Sequence, residues 1–172
     1  MGRIRIMGAL MALLFVCSAS TVRAQNMPVP ATLQAAIFKK VITLDRTLAA
    51  RQSAKMLVVY GASSAGDYQA VLDAFKSAGL TATAVAEDQL TSQIAQADLV
   101  YLLPGATPNP QLSKSKGVLS LTGVPANVES GKASIGIGLK DSKPEIIVHM
   151  GQLKAEGHDI SADLLKLARV IQ

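Results

Sequence analysis

The chain has 172 residues, with 17 Lys and Arg against 12 Asp and Glu, one cysteine and no tryptophan. Its one cysteine, Cys17, and three of its basic residues, Arg3, Arg5 and Arg23, fall within the first 24 positions. The 148 residues beyond them carry 14 basic and 12 acidic side chains, a net charge of +2, and no cysteine. That excludes disulfide staples, thiol catalysis and cysteine-zinc sites, and leaves no clustered basic stripe of the kind that binds nucleic acid.

The first 24 residues have the layout of an export signal. In "MGRIRIMGALMALLFVCSASTVRAQ" two arginines precede an apolar run from Ile6 to Val16, and small polar residues lead to Val22-Arg23-Ala24. A basic region, a short apolar region and a V-x-A site describe a secretory signal peptide, since a spanning helix needs about 20 apolar residues. Cys17 follows Val16, where lipid attachment wants a small residue. The expectation is cleavage after Ala24 and a periplasmic mature chain, residues 25–172, of single-domain size.

After the lead-in "QNMPVP", the segment "ATLQAAIFKKVITLDRTLAAR" places Leu33, Ile37, Val41, Leu44 and Leu48 at helical spacing, which predicts one amphipathic helix ending near Ala50. The period then shortens. "KMLVVYG" reads as a strand, "DYQAVLDAFKSAG" as a helix closed by Gly79, and "LTATAVA" as a second strand. "EDQLTSQIAQA" reads as a short helix, and "DLVYLLPG" and "GVLSLTG" as third and fourth strands suited to burial on both faces. "ASIGIGLKDSKPEIIVHM" predicts two strands joined at Asp141 to Lys143, an antiparallel hairpin closing one edge of the sheet. "SADLLKLARVI" predicts a final helix, capped by Ser161, with Leu164, Leu165, Leu167 and Ala168 turned inward. Alternating strands and helices point to an α/β fold, a three-layer α/β/α sandwich with a mostly parallel sheet, a C-terminal antiparallel hairpin and helices on both faces.

The chemistry on offer is sparse. "GASSAGDYQ" follows the first strand where α/β proteins place phosphate loops. It lacks the lysine and Ser/Thr of a Walker loop and the three glycines of a dinucleotide fingerprint. Ser64 as N-cap, with Asp67 three residues on, reads as a helix start. The alternative is a small-ligand crevice beyond the strand ends, with Gly61, Ser63 and Ser64 as its residues. His149, in the last strand of the hairpin, and His158, before the last helix, read as solvated or hydrogen-bonded rather than as metal ligands. No serine stands in a G-x-S-x-G elbow. No catalytic residue, metal ligand or cofactor site is assigned, and an enzyme is disfavoured.

The stretch "VLSLTGVPANVESGKASIGIGLKDSKPEIIVHMGQLKAEGHDISADLLKLARVI", together with "LQAAIFKKVITLDRTL" and "ADLVYLLPG", resembles the YfiR-like family of periplasmic regulatory proteins. The likeness covers nearly all of residues 25–172 and rests mainly on hydrophobic spacing. It implies a non-enzymatic regulator that binds the extracytoplasmic domain of an inner-membrane diguanylate cyclase, or of a sensor kinase, and so lowers cyclic-di-GMP signalling and biofilm formation. A homodimer is compatible with it. The chain departs from the family pattern in two places. Ala97 stands where a cysteine precedes the third strand, so redox control by disulfides is not implied, and His149 stands where the hairpin carries an asparagine.

Overall fold

The computed structural model describes residues 27–51 and 53–172, so the expected signal peptide lies outside the described residues. A first helix, α1 (Ala31–Leu44), turns Gln34, Ala35, Phe38, Val41 and Ile42 into the core. The buried face is rotated from the one the leucine spacing suggests, because Phe38 packs against Phe75 and Tyr101 and leaves Leu33 exposed. The helix also stops earlier than Ala50. Asp45 adopts an extended backbone and its Oδ1 accepts the N–H groups of Thr47 and Leu48 at 2.7 and 2.9 Å, so it caps a separate short helix, α2 (Arg46–Ala49). An aspartate that can satisfy two free donors competes effectively with continuing the helix.

β1 (Lys55–Tyr60) leads through a 3-10 turn (Ala62–Ser64) into α3 (Tyr68–Ser77). Gly79 ends α3 at φ +81°, as its position suggests, with the Leu80 N–H returning to the Phe75 carbonyl at 3.1 Å. β2 (Thr81–Ala86) follows. The single helix expected over "EDQLTSQIAQA" is instead two 3-10 turns flanking α4 (Leu90–Gln93), with Leu90 and Ile94 buried. Then come β3 (Leu99–Leu102), α5 (Pro110–Lys116), β4 (Leu119–Thr122) and α6 (Pro125–Glu129). β5 (Ile135–Lys140) and β6 (Lys143–His149) form the hairpin, turning at Asp141 and Ser142 with φ of 50° and 61°. α7 (Met150–Ala155) and α8 (Ala162–Leu167) precede a strand, β7 (Ala168–Ile171). Helices α5, α6 and α7 have no counterpart in the sequence reading.

Among the described residues the sheet has seven strands, in the order β2-β1-β3-β4-β5-β6-β7. β1 to β5 are parallel, β6 runs antiparallel to β5, and β7 is parallel to β6. Two expectations are corrected here. The final helix ends at Leu167, because residues 168–171 hydrogen-bond to β6, with Ala168 opposite Ile146 and Ile171 opposite His149. The hairpin is therefore internal, and β7 takes the edge. Within that last segment Leu164 is buried and Leu165 half-buried, while Leu167 is 73% exposed. Ser161 does cap α8, accepting the Leu164 N–H at 3.3 Å.

Side chains alternate across the strands, as pleating requires. Met56, Val58, Leu99 and Tyr101 join Phe38, Phe75, Leu153 and Leu164 in one apolar cluster. Val59, Val100, Leu102 and Ile147 join Leu90, Ile94 and Val128 in another on the opposite face. The result is the three-layer α/β/α sandwich, with α1, α3 and α8 on one side and α4 and α6 on the other.

Candidate functional site

β1 continues on opposite sides of itself, toward β2 and toward β3. The gap beyond the carboxyl ends of β1 and β3 is therefore the point where the strand order reverses, and α/β sheets bind ligands at such points. The structure places Gly61, Ser63 and Ser64 there, on the loop leaving β1. It also brings in residues that sequence order keeps distant: Glu87 from the end of β2, and Gly105 and Thr107 from the loop after β3.

The β1 loop turns three of its N–H groups back on itself. The Gly61 N–H donates to the Ser64 hydroxyl at 3.1 Å, the Ser64 N–H donates to the Gly61 carbonyl at 3.1 Å, and the Asp67 N–H donates to the Ser64 carbonyl at 3.0 Å. Ser64 is buried and belongs to the 3-10 turn, so it does not cap α3, contrary to the sequence reading. Asp67 holds the N-cap position of α3 without a side-chain hydrogen bond there. A phosphate cradle depends on N–H groups aimed outward, and these three point into the turn.

Glu87 ties the edge together. Its Oε2 accepts the Thr107 N–H at 2.8 Å and lies 3.2 Å from where a Cβ on Gly61 would sit, with the Gly105 carbonyl oxygen 2.5 Å from that same point. The loops after β1 and β3 thus touch, and only a residue without a side chain fits at Gly61. Ser63 lies over Gly105, itself at φ +82°.

Two clefts open on either side of Glu87. One, of about 320 Å³, is lined by Tyr60, Gly61, Ala62, Ala86, Glu87 and Asp88. The other, of about 380 Å³, is lined by Glu87, Asp88, Leu90, Thr91, Thr107, Pro108, Asn109 and Leu112. The Tyr60 ring stacks on Tyr68 with centroids 4.4 Å apart and planes 16° from parallel. Among the described residues no lysine or arginine lines either cleft.

The other buried polar groups serve the fold. Glu156 accepts the Ser120 hydroxyl at 2.6 Å, the Ser120 N–H at 3.0 Å and the Gln152 amide at 3.0 Å, and makes a short hydrogen bond with Ser134. Burial still raises its carboxyl above the ordinary range, with these donors opposing the shift. The Tyr101 hydroxyl donates to Gln34 at 2.8 Å, and burial pushes that phenol far up. His158 Nδ1 lies 2.9 Å from Asp45 Oδ2, both side chains being buried. His149 caps α7, its Nδ1 accepting the Gln152 N–H at 3.2 Å. Among the described residues no group of three or more His, Cys, Asp or Glu is arranged to hold a metal ion, and no helix is long and apolar enough to cross a membrane.

Sequence reasoning found the β1 loop and missed its partners. Glu87 looked like a helix-start residue and Gly105 like the end of a strand. Their adjacency follows from the strand order, which no local motif announces.

No protein-family model and no curated protein matches the chain. Solved structures do. The chain is similar to an ABC domain in complex with L-Trp from Streptococcus pneumoniae (TM-score 0.61, 14% identity, covering 83% of this chain and 60% of that one). It is similar to a conserved domain protein from Vibrio cholerae (TM-score 0.61, 10% identity, 83% and 60%). It is also similar to the ligand-free, open form of a substrate-binding protein with adhesive properties from Clostridium difficile (TM-score 0.54, 16% identity, 78% and 59%). The chain spans about 60% of the length of these proteins. At such identities the likeness establishes a shared α/β fold.

Proposed function

We propose that this protein is an exported, non-enzymatic binding module of the periplasm, whose recognition surface is the carboxyl edge of its sheet. The observation that carries the reading is the convergence of the loops after β1, β2 and β3 on Glu87, with a cleft on each side, at the point where the strand order reverses. A backbone N–H orients that carboxylate, so the edge is organised before anything binds. Ligands of L-Trp size suit clefts of this volume; one of the similar structures is a complex with L-Trp and another is the ligand-free, open form of a substrate-binding protein. The test is a ligand screen on residues 25–172 by thermal shift, with amide chemical shifts to locate the hits. Hits that perturb residues 60–64, 86–88 and 105–109 support the reading. A metabolite panel that perturbs none of them overturns it.

A second reading has its own observation. Leu167, just before β7, is 73% exposed and Val170, within it, 40%; among the described residues the outer backbone edge of β7 pairs with no strand, and such edges accept strands or partners. This suits a regulator that docks on the extracytoplasmic domain of an inner-membrane diguanylate cyclase or sensor kinase, as the YfiR-like resemblance implies, with control of cyclic-di-GMP and biofilm formation as its output. Capture of such a protein from solubilised inner membranes by the wild type, but not by a Leu167→Glu variant, supports this reading. Equal capture by both overturns the β7 edge as the docking surface.

A further inference from the structure

We infer that the cleft between β1 and β2 selects a small organic cation, an alkylammonium or arylalkylammonium group. This rests on the binding-module reading above and names the ligand class for that same edge. The sign of the charge is the first argument. The amino ends of α3 and α4 face this edge, and helix amino ends ordinarily favour anions. Here Asp67 sits at the start of α3 and Glu87 and Asp88 just ahead of α4, which reverses that preference. The chain is net basic from residue 25 onward, yet among the described residues no lysine or arginine lines the cleft to neutralise these carboxylates.

The second argument is the wall of the cleft. Tyr60 lines it, and stacking on Tyr68 fixes the ring. An aromatic ring attracts a cation through its quadrupole. A carboxylate alongside supplies the counter-charge, and Glu87 is held for that role by the Thr107 N–H, which engages only Oε2. Ala62 and Ala86 leave the remaining wall small and apolar, suited to the hydrocarbon part of the ligand. An anion would meet two carboxylates there, Glu87 and Asp88, while the N–H groups of Gly61 and Ser64 are engaged within the loop.

The test uses a pair of probes matched in size and opposite in charge, 2-phenylethylammonium and 3-phenylpropionate, titrated into residues 25–172 by calorimetry at low salt and neutral pH. With no tryptophan in the chain, tyrosine emission gives a second readout near the cleft. We expect the ammonium probe to bind at least about ten-fold more tightly than the carboxylate. Glu87→Gln, which keeps an acceptor for the Thr107 N–H, and Tyr60→Leu should each weaken it by about the same factor, with the Glu87→Gln urea midpoint unchanged. Equal or tighter binding of phenylpropionate, or ammonium binding that Glu87→Gln leaves intact, overturns the cation assignment while leaving a binding module. Silence from both probes up to about 10 mM also overturns it, and the screen above then decides separately whether the edge binds anything.

Discussion

The imidazole of His158 and the carboxylate of Asp45 meet at 2.9 Å across 113 residues of chain, buried from solvent on both sides. The same aspartate caps α2, and the backbone around it joins in: the Arg46 N–H reaches the Asp159 carbonyl at 2.8 Å and the Ser161 N–H reaches the Leu44 carbonyl at 3.0 Å. Asp45 therefore holds the first helical unit to the loop before α8. Asp45→Ala removes two capping hydrogen bonds and strands a buried imidazole, and should cost about 2 to 5 kcal/mol. Asp45→Asn, which keeps an acceptor oxygen, should cost less. Urea denaturation of both variants ranks them.

Glu156 gives the stability a pH dependence of known sign. Burial raises its carboxyl in the folded state, so the folded protein holds this proton to higher pH than the unfolded chain does. Its contribution is fully present below the ordinary glutamate range and is lost as pH rises through the raised folded value. Relative to Glu156→Gln, which cannot ionise, the wild type should lose stability as pH rises above about 4. Urea midpoints of the two proteins across that range check it, and parallel curves would assign the pH dependence to other groups.

The last helix supplies a graded series. Leu164→Ala empties a buried site and should cost about 2 to 5 kcal/mol. Leu165, half-buried, should lose less than Leu164. Leu167→Ala, at an exposed position, should fall within about 0.5 kcal/mol of wild type. A uniform cost across the three would mean that α8 is packed on every side.

Two glycines of the β1 loop should behave differently. A Cβ at Gly61 would lie 2.5 Å from the Gly105 carbonyl oxygen, whereas nothing lies within 4 Å of one at Gly66. Gly61→Ala should cost about 1 to 3 kcal/mol, as overpacking does, and shift amide signals of residues 103–107. Gly66→Ala should leave both stability and those signals unchanged.

The four strands of the parallel half and the hairpin were legible because each is a short apolar run bounded by polar or glycine residues, and periodicity reports such runs well. β7 was not. "ARVI" continues the helical spacing of "SADLLKL", and what makes it a strand is the open edge of β6, a partner outside its own segment. The break at Asp45 was hidden for a related reason, since the apolar period runs through it and only the cap on Thr47 and Leu48 stops the helix. In the candidate site, Gly61 and Ser64 lie within four residues and were visible. Glu87, Gly105 and Thr107 reach the edge through strand order, and a local pattern does not encode that.

The strand order also bears on how the sheet can be assembled. β3 adds beside β1 on the side away from β2, and β4, β5, β6 and β7 each add beside the strand synthesised immediately before. No strand has to wedge between two neighbours that are already paired. A chain delivered amino end first can extend the sheet at one growing margin, with each newly arrived segment covering the margin left by the last. The contact between Asp45 and His158 then joins a helix that precedes the sheet to a loop that follows six of its strands, so it forms only after those strands have been delivered.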